Sequence, residues 1–255
     1  AKEKGYTFFA PGKSNGEQLK LTLFDLPILK DKTTTQFPLA EHIGSLWGVI
    51  SSAFPLEGPM IPLLRKALSR VYEEFGWSIS GKNQNRFVDI GKPTFPTIEG
   101  LCYVIKKLIN ELGYAGEIKS NIEAALVNRL EDLVTGIRKE IFSEESQGLS
   151  IFDLMKTNEN KNKNGFVISL DALESEEDKA LALGIILLRL RQFVRVDGIK
   201  HNSLRRLVVL EEAHRIIPNI SPTSNVNPSV SKQREQAVAQ FNDAISEMRA
   251  YGVGF

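Results

Sequence analysis

The chain has 255 residues, 42% hydrophobic and 25% charged, which is the make-up of a soluble globular protein with one large domain or two small ones. Its 32 Lys and Arg against 31 Asp and Glu leave a formal net charge of +1, so the whole chain offers no argument for nucleic acid or a membrane surface, and any basic site must be local. A single cysteine, Cys102, excludes an internal disulfide framework and a cysteine-rich zinc site, and the dispersed His42, His201 and His214 argue against a histidine cluster. With nothing like a signal peptide at the Ala1 end, these features predict a reduced, cytoplasmic protein.

The first forty residues read as β-rich. Gly5 to Ala10 is a short aromatic and β-branched run, Pro11-Gly12 breaks it, and Lys20 to Phe24 alternates as a second strand. A connection follows from Asp25 to Gln36. The middle reads as helical. Leu39 to Phe54 is one helix, and Pro59 to Phe75 the next, with Pro59 and Pro62 in its first turn, where a missing N–H costs least. After a polar loop from Gly81 to Pro96, Thr97 can cap a helix with apolar residues at Ile98, Leu101, Ile105, Leu108 and Leu112. Another helix runs from about Glu117 to Val134 with Ile118, Ile122, Leu126 and Leu130 on one stripe, and Gly136 suits its end.

The last third changes character. A polar loop, Lys156 to Asn164, precedes a β run at Gly165 to Leu170. Ser175 followed by Glu176, Glu177 and Asp178 opens a long helix suited to its N-terminal dipole. Its apolar stretch, Ala180 to Val196, is interrupted by Arg189, Arg191 and Arg195 and is too short for the ~20 residues of a bilayer span; a buried core helix is expected. Leu207 to Leu210 reads as a buried strand of the parallel type. Pro218 to Val230 reads as a loop, and Lys232 to Arg249 as a final amphipathic helix. Strand, helix, strand, helix is the order of an α/β sheet.

The segment with chemistry in it is Arg205 to Ile217, RRLVVLEEAHRII. Four apolar residues lead straight into Glu211 and Glu212, and open parallel sheets bind ligands at the carboxyl ends of their strands. Two adjacent carboxylates there repel each other, and Mg²⁺ with a phosphate relieves that cost. Glu211 can hold Mg²⁺ through water, and Glu212 can orient or deprotonate an attacking water. On spacing alone the two acids equally suit the start of a following helix.

VVLEEAHR resembles the Walker B motif of the HerA/FtsK-like translocase ATPases of the RecA-like P-loop superfamily. FFAPGKSNGEQLKLTLFDLP resembles the family's strand-turn-strand, PLAEHIGSLWGVISSAFPLEGPMIPLLRKALSRVYEEFGW its helical insertion, ISLDALESEEDKALALGIILLRLRQF the strand and long helix before Walker B, and EMRAYGVGF the segment entering the next core strand. The resemblance implies an α/β fold: a partial RecA-like parallel-sheet core at residues 1–37 and 136–255, with an all-α insertion at 38–135. It implies ATP and Mg²⁺ as cofactors, a homo-oligomer, hexameric when complete, and double-stranded DNA as partner. Glu211 stands at the Mg²⁺-side acid, where many members have Asp, and Glu212 at the catalytic glutamate. His214 and Arg215 match the tail of the motif. Arg249 matches an arginine that reaches the neighbouring subunit's γ-phosphate in hexameric members; as a helix C-terminal cation it also has a purely structural reading.

The phosphate-gripping G-x-x-x-x-G-K-[ST] signature is missing. Gly12-Lys13-Ser14 ends like one, but Thr7 stands at its first glycine position, Pro11 removes a donor and no helix follows. It reads as a turn. The chain therefore reads as an internal piece of such an ATPase, inactive alone. The alternative is a non-catalytic oligomerisation or docking module whose helical part binds a nuclease or another defence or repair effector. Lys156, Lys161 and Lys163 read as a solvated loop or DNA-backbone contacts, Asp171 as a turn residue or a neighbour of the nucleotide edge, Trp47, Phe75 and Trp77 as core or interface aromatics, and Cys102 as an inert, partly buried thiol.

Overall fold

A computed structural model describes residues 6–13, 17–29, 31, 33–54, 56–146, 148–160, 165–198, 203–211, 239 and 242–255. Glu212, His214, Arg215, Ser14, the Pro218–Val230 loop and the Lys161–Asn164 part of the lysine loop lie outside them, as does most of the stretch from Lys232 to Phe241.

The chain alternates short strands with longer helices. β1 (Tyr6–Phe9) and β2 (Leu19–Lys20) come first. α1 (Leu39–Ala53) and α2 (Met60–Glu74) follow, then β3 (Trp77–Ser78) and β4 (Arg86–Phe87). Next are α3 (Ile98–Glu111), α4 (Gly116–Ile122), a π-helical turn at Glu123–Val127, α5 (Asn128–Asp132) and α6 (Gly136–Phe142). The last part holds β5 (Leu149–Ser150), α7 (Ile151–Asn160), β6 (Gly165–Ile168), α8 (Glu176–Asp197), β7 (Arg206–Leu207), α9 (242–249) and β8 (Val253–Gly254).

Three strand pairs are parallel and join distant parts of the chain: β1 with β6, β2 with β5, and β7 with β8. β3 and β4 form an antiparallel hairpin, of which β4 falls inside the Gly81–Pro96 stretch expected to be loop. The described strands form four separate pairs, so the fold is α/β, but they do not join into one continuous sheet.

The helices follow their sequence signals closely. Thr97 Oγ1 accepts the Gly100 N–H at 3.0 Å and so caps α3, whose Leu101, Ile105 and Leu108 are buried. Ser175 Oγ accepts from the N–H groups of Glu177 and Asp178 at the start of α8, and Gly198 ends it with φ at 69°. The helix expected from Glu117 to Val134 is divided by the π turn, and Ile118 faces solvent while Ile122, Leu126 and Leu130 are buried. Gly136 begins α6 rather than ending a helix, and α7 occupies the start of the expected lysine loop. α8 packs on α1, where a Cβ on Gly184 would meet Val49 Cγ1 at 2.7 Å. Leu181, Ala182 and Ile185 are buried, as a core helix requires. Among the described residues no helix is long and apolar enough to cross a membrane.

Two strand expectations need correction. Of the expected Lys20–Phe24 strand only Lys20, with Leu19 before it, joins a ladder; Leu21 to Phe24 are buried, the Leu21 N–H donating to the Ile141 carbonyl and the carbonyls of Thr22, Leu23 and Phe24 accepting from Arg189 and Tyr72. The Leu207–Leu210 segment is parallel but not buried: Leu207 is 65% and Val209 75% exposed. Val208 and Leu210 are half-buried, so this strand covers one face only.

Candidate functional site

The site is built on β7 and β8. Arg206 stands opposite Val253 and Leu207 opposite Gly254, and the Val208 N–H extends the pairing to the Gly254 carbonyl at 2.9 Å. Glu211 follows the carboxyl end of this strand and is exposed. An exposed carboxylate is a suitable hard-oxygen ligand for Mg²⁺ through water. Among the described residues no cluster of three or more His, Cys, Asp or Glu is placed to hold a metal. Its expected companion, Glu212, lies outside the described residues.

Arg249 is the last residue of α9, exposed, and without an ion pair among the described residues. Its helix is firmly held. Glu247 receives Arg191 Nε at 2.6 Å and Arg195 Nε at 3.2 Å, and both arginines also reach Glu41 of α1. Met248 is fully buried beside them in sequence. Because β7 and β8 are parallel, Arg249 precedes the amino end of the pair and Glu211 follows its carboxyl end. The structure does not bring these two residues together within one chain.

The Gly12-Lys13 segment is a turn. The Lys13 N–H donates to the Ala10 carbonyl at 3.0 Å, the Gly12 N–H donates to Gln18 Oε1 at 3.1 Å, and Gly12 has φ at 78°. Amides already engaged this way are not a phosphate cradle. Lys13 Nζ lies 3.4 Å from Asp171, which also accepts from Ser169 Oγ at 2.8 Å. The Ser169 hydrogen bond and then Lys13 hold the Asp171 carboxyl below its usual range. Trp47 and Trp77 are buried and Phe75 partly so, and Cys102 is a buried free thiol pushed up to about 12, chiefly by burial.

One polar constellation has no signal in the sequence. Arg189 of α8 donates to Gln192 Oε1 at 2.9 Å, so the Gln192 amide nitrogen faces His42 Nδ1 at 2.7 Å. An amide NH₂ only donates; Nδ1 must therefore accept, and the neutral ring carries its proton on Nε2. Nε2 lies 2.9 Å from the Tyr72 hydroxyl, which donates to the Phe24 carbonyl at 2.7 Å. Arg189 Nη2 meanwhile donates to the carbonyls of Thr22 and Leu23. The ring of bonds thus begins and ends on three consecutive carbonyls and ties α1, α2 and α8 to that segment. Burial, and next the Arg189 charge, push the His42 pKa well below its usual value, which agrees with the neutral form.

No family model matches this sequence, and no curated protein matches it. The fold is similar to that of "Structure of VirB4 of Thermoanaerobacter pseudethanolicus", with a TM-score of 0.59 over 99% of this chain at 18% identity. The chain spans 56% of that protein's chain. The likeness establishes the fold.

Proposed function

We propose that this chain is part of an ATP-hydrolysing motor of the HerA/FtsK-like type, with core segments at 1–37 and 136–255 and a helical insertion at 38–135. The observation that supports the reading best is Glu211, exposed four residues beyond the carboxyl end of a parallel strand, within a fold similar to that of VirB4. In this reading Mg²⁺ and ATP bind between subunits of a ring, hexameric as in the resemblance, that moves on double-stranded DNA. The ion, when bound, neutralises phosphate charge. Glu211 orients it through water, Glu212 positions and deprotonates the attacking water, and Arg249 of a neighbouring copy stabilises charge on the transferring phosphate.

The chain holds no P-loop signature, so it should hydrolyse little ATP by itself. Turnover by this chain that Glu212→Gln abolishes would overturn that statement. A strand and a GKS/T-type P-loop encoded upstream of Ala1 would support the motor reading, and an unrelated upstream frame would count against it. A second reading, a non-catalytic docking module, is favoured by Val88, Ile90 and Tyr103, which are 57%, 99% and 65% exposed. Light scattering before and after deletion of 38–135 separates the two: loss of oligomers with the insertion supports the docking module.

A further inference from the structure

A cavity of about 460 Å³ opens between β2, β5, α7 and α8, away from the β7–β8 edge; neither Glu211 nor Arg249 lines it. Its volume falls in the range of small-molecule sites. Lys20, Lys156 and Arg189 line it, together with Asp25 and Asp153. Both carboxylates are engaged by neighbouring hydroxyls: Thr22 Oγ1 donates to Asp25 at 2.8 Å and Ser150 Oγ to Asp153 at 2.6 Å. Phe95 and Phe152 supply apolar wall.

Arg189 is the unusual member. It is only 4% exposed, and its guanidinium lies 5.8 Å from the centre of the Phe152 ring. Its three hydrogen bonds all go to neutral acceptors, Gln192 Oε1 and the carbonyls of Thr22 and Leu23. Among the described residues no carboxylate lies within 4 Å of it. Asp25 acts on it only from farther away. A buried cation is ordinarily paired, because removing it from water costs several kcal/mol. Here no carboxylate pairs with the cation and a space adjoins it, lined also by Lys156 and by Lys20, whose Nζ donates to the Glu144 carbonyl at 2.7 Å.

We propose that this cavity binds a small organic anion, its anionic oxygens on Arg189 and the lysines and its apolar body against Phe95 and Phe152. A carboxylate and a phosphate share this chemistry. The hydrogen-bond ring behind Arg189 holds the guanidinium in place before the ligand arrives, so little ordering is required on binding.

Isothermal titration of the full chain with phenyl phosphate and with benzoate tests the proposal. Saturable binding of at least one is expected, with none for the neutral benzyl alcohol, and the tighter probe assigns the head group. Lys20→Met and Lys156→Met should each weaken that binding about five- to tenfold, the worth of one charge-assisted hydrogen bond. Lys156 is exposed, so its variant keeps the fold and the readout stands even if Lys20→Met does not fold. Absence of saturable binding by either anion up to about 10 mM, or equal binding by wild type and Lys156→Met, overturns the proposal.

Discussion

Glu211 and Arg249 stand at opposite ends of one parallel strand pair. The register Arg206 to Val253 fixes this, since one residue lies beyond the carboxyl end of β7 and the other before the amino end of β8. In the motor proposed above, this placement calls for the two side chains to reach one phosphate from different copies.

That separation gives the first prediction. In a P-loop-containing form of the protein, Glu212→Gln and Arg249→Ala chains should each be inactive. A one-to-one mixture should recover about one site in four, because an interface needs the glutamate of one copy and the arginine of the next. ATP turnover of the mixed sample measures it; no recovery would mean that both residues act within one chain.

The His42 ring makes stability fall in acid. His42 is held below its ordinary 6.5 by burial, so its contribution is complete above pH 6.5 and is lost as pH falls from there toward the folded-state pKa. A proton on Nδ1 would also face the Gln192 amide, donor against donor. Thermal melts of wild type and His42→Gln should therefore differ in acid slope, the wild type losing stability more steeply below pH 6.5.

Glu144 acts in the opposite direction. Burial pushes its carboxyl up to about 7 from an ordinary 4.5, and its Oε1 has no hydrogen-bond partner. A raised carboxyl pKa contributes stability below pH 4.5, and the contribution is lost as pH rises through about 7. Glu144→Gln should stabilise the protein above pH 7 by about 1–2 kcal/mol, allowing for partial exposure, and flatten this limb of the profile. Urea titrations at successive pH values measure it.

The clamp on α9 is local. Glu247→Gln weakens its bonds to Arg191 and Arg195, at a cost of about 1 kcal/mol for partly exposed pairs. Amide exchange across 242–250 should accelerate while α3 is unchanged. Equal acceleration in α3 would show that the network supports the whole fold.

Cys102 is buried in α3 and its thiol is pushed up to about 12. Since the thiolate is the reactive form, a thiol reagent at neutral pH should label it only as fast as the protein unfolds. Labelling at the rate of an exposed thiol would contradict its burial.

The sequence alone locates α1, α2, α3 and α8 and the caps of α3 and α8, because those signals are local: Thr97 and Ser175 accept the amides their positions predict. The same local signals placed a turn at Gly12-Lys13, whereas Glu211 lies four residues beyond the end of β7. Strand pairing emerges only on folding, since parallel ladders join β1 to β6 and β2 to β5 across intervening helices with no local mark in the chain. The exposure of Leu207 and Val209 likewise emerges only then, because an apolar run reads the same whether one face or two are covered. The His42 ring and the Arg189 cavity belong to the same class. His42, Tyr72 and Arg189 are remote in sequence, and only the packing of α1, α2 and α8 makes their donors and acceptors meet. Local chemistry is written residue by residue, whereas the pairing of distant polar groups exists only once the chain has closed around them.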